Sequence, residues 1–335
     1  MTSDPRLHPA YSDISTFLHL PWVHEAAAIA AASPDIAILG APFDVAVTHR
    51  PGARFGPRAI RAASYLTQWS LNHLGLAIQP FDYLRGIDAG DALCIPGTIE
   101  RSHDAIRAKL AELLTAAPAC VPIILGGDHS ITYPAAATFA DHHGRRVGVV
   151  HFDAHADTAD DSWGVSLSHG TPMRRLIENG HVAGRNFVQV GLRGYWPPPP
   201  VLRWMEEHGL RTHFMREIEE RGFDAVLEDA VTEALDGPDA IYLSVDVDVL
   251  DPAFAPGTGT PEPGGLSARE LLRAVRTIAL RVPVVALDVV EVSPPYDTAG
   301  ITAEVAHRVC LEVISALAVR RRDAGGEKLA KAAEG

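Results

Sequence analysis

Val147-Gly148-Val149-Val150-His151-Phe152-Asp153-Ala154-His155-Ala156-Asp157 is an apolar run that ends in a D-x-H-x-D triplet. A near-continuous, Val-rich run of this length reads as a strand buried on both faces, the pattern of a parallel sheet. Side chains alternate along a strand, so Asp153, His155 and Asp157 are expected to project to one side. Two carboxylates and an imidazole gathered so closely repel one another and lose hydration unless a cation joins them. The stretch therefore predicts a strand that delivers metal ligands at its carboxyl end.

The same pattern recurs along the chain. Gly126-Gly127-Asp128-His129-Ser130 follows the apolar run Val121 to Leu125, and its glycines allow a tight turn and close backbone approach. In Ser244-Val245-Asp246-Val247-Asp248-Val249-Leu250-Asp251-Pro252, Asp246 and Asp248 are expected to share one strand face. Acids inside a β-branched run are costly unless compensated. Asp251 before Pro252 reads as a turn residue. Asp288-Val289-Val290-Glu291-Val292 places Glu291 in one more apolar strand. An acid there can hold a cationic group beside a metal centre, or it can be a plain strand-end carboxylate facing solvent.

His129, Asp153, His155, Asp157, Asp246 and Asp248 together supply two imidazoles and four carboxylates. Mixed oxygen and nitrogen ligation suits a divalent ion such as Mn²⁺. The set exceeds what one ion with open positions needs. Two ions bridged by carboxylates and a water fit better, and such a pair makes hydroxide available near neutral pH. The sequence contains no G-x-S-x-G elbow, Walker loop or dinucleotide fingerprint to suggest other chemistry.

Further strands are expected at Ile36 to Leu39, Phe187 to Val190, Ile241 to Val247 and Val284 to Val292. Helices are expected at Ser102 to Ala116, Pro134 to Asp141, Thr171 to Asn179, Phe223 to Leu235, Ala268 to Leu280 and Thr302 to Val319. Ser267 and Glu270 have capping-box spacing at the start of one of them. Strand–helix alternation predicts an α/β sandwich with a mostly parallel sheet and a site at the strands' carboxyl ends. Residues 1–320 read as one domain, and 321–335 as a charged, flexible tail. Pro197 to Pro200 reads as a stiff loop.

The net charge of −13 argues against a nucleic-acid partner. Three scattered cysteines suggest neither a disulfide framework nor a zinc knuckle, and point to a reducing, cytoplasmic setting. No apolar run reaches the roughly 20 residues that span a bilayer, and no secretory leader is evident.

The motifs around His129, Asp153 to Asp157 and Asp246 to Asp248 resemble the three signatures of the ureohydrolase (arginase/agmatinase) family. Asp251 to Pro261, Arg50 to Pro57 and Glu291 to Pro294 resemble its agmatinase-like members in particular. The resemblance runs from Ile36 to Leu317. It implies a three-layer α/β/α sandwich with an eight-stranded parallel sheet. It implies that His129, Asp153, Asp157 and Asp246 hold one manganese, and that Asp153, His155, Asp246 and Asp248 hold the other, with nickel as an alternative. His169 would shuttle a proton, Asp157 would offer a second proton route, and Glu291 would hold the substrate's guanidinium. A cytoplasmic homo-oligomer, trimer or hexamer, is implied.

The substrate so implied is agmatine, cleaved to putrescine and urea. Guanidinobutyrate, guanidinopropionate and free guanidine are the alternatives, because the loops His169 to Arg174 and Gly194 to Pro197 differ from the best-known bacterial agmatinases. Two other classes stand beside this one. A single-zinc deacetylase is disfavoured by the full ligand set, and a non-catalytic metal-binding partner protein by the absence of lost ligands. His151 reads as a buried neighbour of the ligands, Arg193 as a residue that could order the rim. Trp163, Tyr195 and Trp196 read as packing residues or as walls of the pocket.

Overall fold

The computed structural model describes residues 9–329 apart from Asp13 and Arg145. Eight strands form one sheet: β1 (Ile36–Ala41), β2 (Gly86–Asp91), β3 (Val121–Gly126), β4 (Val147–Phe152), β5 (Phe187–Leu192), β6 (Arg211–Phe214), β7 (Ala240–Asp246) and β8 (Val284–Val290). The order across the sheet is β2-β1-β3-β8-β7-β4-β5-β6, and every pairing is parallel. The helices are α1 (Ala26–Ala32), α2 (Gly56–Ala62), α3 (Ile99–Ala116), α4 (Thr132–His142), α5 (Pro172–Glu178), α6 (Pro199–Glu207), α7 (Met215–Arg221), α8 (Phe223–Ala234), α9 (Ala268–Arg281) and α10 (Ile301–Asp323).

Alternation along the strands makes the three layers. Ile123 and Leu125 of β3 and Leu287 and Val289 of β8 pack with residues of α2, α8, α9 and α10. Ile124, Ala286 and Val290, of opposite parity, pack with residues of α3, α4 and α5. Both sheet faces are thus covered, as an all-parallel sheet requires. Among the described residues no helix is long and apolar enough to cross a membrane.

The two strands that the apolar pattern misses lie at the sheet's edges. β2 reads Gly-Ile-Asp-Ala-Gly-Asp and β6 Arg-Thr-His-Phe, so neither has the Val/Ile run of a central strand. Edge strands are polar for good reason, since an apolar edge invites pairing with another chain. The last helix also outruns its expected end at Val319. Helix α10 continues to Asp323, Arg321 bonds Asp35, and Leu329 donates its N–H to Asp82 O at 2.7 Å. Residues 330–335 of the expected tail lie outside the described residues.

The capping box at the start of α9 is formed as its spacing predicts. Ser267 Oγ accepts from the Glu270 N–H, and the Glu270 carboxylate accepts from the Ser267 N–H at 2.8 Å. Ser267→Ala should lower unfolding free energy by about 1 kcal/mol. Urea unfolding checks this, and a loss below a few tenths would show that the box adds nothing here.

Candidate metal centre

The sheet order brings the motifs together. β3, β8, β7 and β4 are consecutive neighbours, and their carboxyl ends carry His129, Glu291, Asp246 with Asp248, and Asp153 with His155 and Asp157. Gly127 is required where β3 leaves the sheet. A Cβ there would lie 1.7 Å from the carbonyl oxygen of Phe43. Asp128 then caps the turn, accepting from Ser130 N at 3.0 Å and Ala46 N at 3.0 Å. Burial, reinforced by nearby Glu291, pushes the Asp128 carboxyl up to about 7.

Strand alternation is not what gathers the ligands. β4 ends at Phe152, one residue before Asp153, and Asp157 has a left-handed backbone with φ of 52°. β7 ends at Asp246, and Asp248 lies in a 3-10 turn from Val247 to Val249. Glu291 lies just beyond β8 at φ 63°. Left-handed non-glycine residues are costly, and they concentrate at functional sites where the surroundings hold them. The expectation that each set lines one face of a strand is therefore corrected: strand ends place the segments, and irregular backbone turns the side chains inward.

His129 Nδ1 is the focus of the cluster. Oδ2 atoms of Asp153, Asp157 and Asp246 lie 3.0, 3.1 and 3.2 Å from it. The nitrogen is buried and makes a well-aligned hydrogen bond to none of them. On its other side, Nε2 lies 2.9 Å from Ser244 Oγ. If Nε2–H donates to Ser244, as a metal-ligating imidazole commonly does to a neighbour, the Nδ1 lone pair faces three carboxylate oxygens. That arrangement is repulsive without a cation and favourable with one. Without an ion, burial opposes charge on His129, but the three carboxylates outweigh it and hold its pKa well above the ordinary value.

A second group shares Asp153. His155 Nδ1 lies 3.0 Å from Asp248 Oδ2 and 3.6 Å from Asp153 Oδ1. The two oxygens of Asp153 thus face different imidazoles. Burial, then Asp248 and Asp153, raises the Asp246 carboxyl well above its usual range. Burial likewise raises Asp248, although His155 opposes the shift. Desolvated, mutually repelling acids of this kind fit a divalent-ion pair. Potential ligand atoms cluster in two groups, His129 with His151, Asp153 and Asp157, and Asp153 with His155 and Asp248.

His151 also meets Asp153, with Nε2 2.8 Å from Oδ2, and its Nδ1 lies 3.3 Å from Gln189 Nε2. It belongs to a polar rung that sequence reading did not find as a unit. Gln189, His151, Ser244 and Asp288 sit at one register on β5, β4, β7 and β8. Asp288 accepts from Tyr242 at 2.6 Å and Thr132 at 2.7 Å. Only strand pairing reveals the rung, because its members are far apart in sequence.

The remaining candidates are placed as follows. His169 and Glu291 meet, with Nδ1 3.0 Å from Oε1. The same Oε1 accepts from the His129 N–H at 3.0 Å. Glu291 Oε2 is buried with no hydrogen-bond partner. Thr48, which sequence reading missed, holds the far side of His169, its Oγ1 2.7 Å and its backbone N 3.1 Å from Nε2. Burial lowers the pKa of His169, but Glu291 outweighs it and lifts the group to about 9. Arg193 orders the rim: its guanidinium donates to the carbonyl oxygens of Gly191, Asp248, Val249, Leu250, Glu262 and Pro263. A cavity of about 450 Å³ opens over the cluster, lined by His155, Asp157, His169, Asp246, Thr48 and Trp163 among others.

The Arginase family model matches residues 34–315. The chain is 39% identical to proclavaminate amidinohydrolase of Streptomyces clavuligerus over 93% of this chain and 95% of that one. It is 40% identical to guanidinopropionase of Pseudomonas aeruginosa (92% and 93% covered). It is 38% identical to mitochondrial agmatinase of Gallus gallus (84% and 81% covered). The solved structure of the Streptomyces enzyme superposes with a TM-score of 0.82 at 38% identity, over 93% of this chain and 99% of that one. A Trypanosoma cruzi formiminoglutamase solved with manganese gives 0.77 at 27% identity, over 85% and 94%.

Removing the support of one imidazole should weaken metal binding without unfolding the chain. Ser244→Ala is expected to reduce affinity for manganese about 10–100-fold, read by competition with a chelating dye. Undiminished affinity would mean that Ser244 does not orient His129.

Proposed function

The chain belongs to the arginase family, and on that premise we propose that it hydrolyses agmatine to putrescine and urea. It is an amidinohydrolase that cleaves guanidino C–N bonds; agmatine is the particular substrate proposed. The observation that carries the reading is the crowd of carboxylate oxygens around His129 Nδ1, with Asp153 turned to both imidazoles.

His129, Asp153, Asp157 and Asp246 would hold one ion, and Asp153, His155, Asp246 and Asp248 the other, with manganese the ion proposed and nickel the alternative. Such a pair supplies hydroxide near neutral pH and stabilises charge that develops at the attacked carbon. Glu291 would hold the guanidinium. Its Oε1 is fixed by His129 N–H and His169, while Oε2 is left unpaired in a buried position. A guanidinium N–H satisfies it with a charge-assisted bond. His169, held with Nδ1 3.0 Å from Glu291 Oε1, would pass a proton to the departing amine. Asp157, buried and lining the cavity, offers a second route. Agmatine carries a cation at each end, and among the described residues no Lys or Arg lines the cavity that would receive it.

Urea release by the manganese-loaded protein, repeated with nickel, tests the proposal across agmatine, guanidinobutyrate, guanidinopropionate and free guanidine. Glu291→Gln should lower kcat/KM by roughly 10²–10³-fold, the range for losing one electrostatic partner of the transition state. Full activity in that variant would remove Glu291 from the reaction.

A further inference from the structure

The cavity has a buried floor and an exposed mouth. Asp157 and Asp246 lie on the floor, 7% and 2% exposed. Asp161, Ser162, Trp163 and Trp196 line it from the surface end, with Trp163 85% exposed and Trp196 37%. A guanidinium bound at this floor would leave the rest of its molecule among these residues.

Trp163 is held there at a cost. Ser162 and Val165 exchange backbone hydrogen bonds of 2.9 and 3.0 Å across the pair Trp163-Gly164, and both central residues have positive φ, 52° and 82°. This two-residue turn favours Asn or Gly at its first position, not a bulky aromatic residue. Asp161 braces it, accepting from the Gly164 N–H at 2.7 Å through Oδ1. No further hydrogen bond to this side chain is present among the described residues, so Oδ2 is available. A large indole is thus both strained and exposed, beside a carboxylate with a spare oxygen. Strain and exposure of this kind, at the mouth of a cavity, point to recognition.

The chemistry of the mouth is one-sided. Two indole faces attract an organic cation, and Asp161 adds a negative charge. Among the described residues, no Lys or Arg lines the cavity. Arginines around this region are engaged elsewhere: Arg193 on backbone carbonyls, Arg50 over the ring of Tyr296, 5.3 Å from its centroid, and Arg174 and Arg175 on Asp160 and Glu178. A carboxylate at the far end of the substrate would meet the like charge of Asp161.

We infer that Asp161, Trp163 and Trp196 form the subsite that reads the substrate's far end, and that they select an ammonium and reject a carboxylate. The inference rests on guanidino hydrolysis as the reaction, and it assigns the choice of substrate to three residues. The test compares agmatine with 4-guanidinobutyrate, which share the guanidino group and differ in the charge of the tail. The holoenzyme should favour agmatine at least tenfold in kcat/KM. Asp161→Lys should shrink that ratio at least tenfold, mainly through KM for agmatine. Trp163→Ala, an exposed position that leaves the core intact, should raise KM for agmatine several-fold.

A preference for the acid, or a ratio that Asp161→Lys does not move, would overturn the inference while guanidino hydrolysis stands. So would a Trp163→Ala variant that changes subunit assembly with KM unaltered, which would make the indole a subunit contact. Calorimetric binding of the two compounds gives a readout independent of turnover. Tail discrimination there that Asp161→Lys abolishes, with no urea from either compound, would support the subsite and sink the reaction. Equal binding of both compounds with no turnover would sink both.

Discussion

Everything in the site follows from three carboxylate oxygens meeting one buried imidazole nitrogen. Asp153, Asp157 and Asp246 converge on His129 Nδ1 at about hydrogen-bond distance, yet one proton on that nitrogen can serve only one of them well. Desolvated acids so close together are expensive. The fold accepts that expense in the one place where four central strands end side by side. The apolar residues behind those ends, fully buried on both faces of the sheet, make the arrangement rigid enough to hold like charges in place. The polar rung of Gln189, His151, Ser244 and Asp288 crosses this apolar layer at a single register and supports the ligands from behind.

Much of this was legible in the sequence, for definite reasons. The central strands are Val- and Ile-rich because helices cover both faces, and that composition is visible in a single chain. The ligand motifs were legible because acids and imidazoles interrupt those runs at their ends. The edge strands were not, because β2 and β6 carry the charges and glycine that exposed edges need. The way the ligands are oriented was also hidden. Asp157 and Glu291 turn inward through left-handed backbone, which no alternation rule anticipates. Ser244 and Thr48 escaped notice because their partners, His129 and His169, come from distant parts of the chain.

Substrate choice obeys a different constraint from metal binding. The relatives bear names of enzymes for different guanidino compounds at similar identity, so overall likeness does not select among them. The floor of the cavity deals with the reacting group, and the mouth with whatever is attached to it. Arg193 illustrates the division. Its guanidinium donates to six carbonyl oxygens, five of them in the segment after β7. Positive charge there stiffens the frame.

On this reading of the site, Asp153 would stand between two ions. Anomalous diffraction from crystals grown with manganese tests it most directly. Two peaks per chain are expected, one beside His129 and Asp157, the other beside His155 and Asp248, with one carboxylate oxygen of Asp153 toward each. A single peak, or two peaks that do not share Asp153, would contradict it.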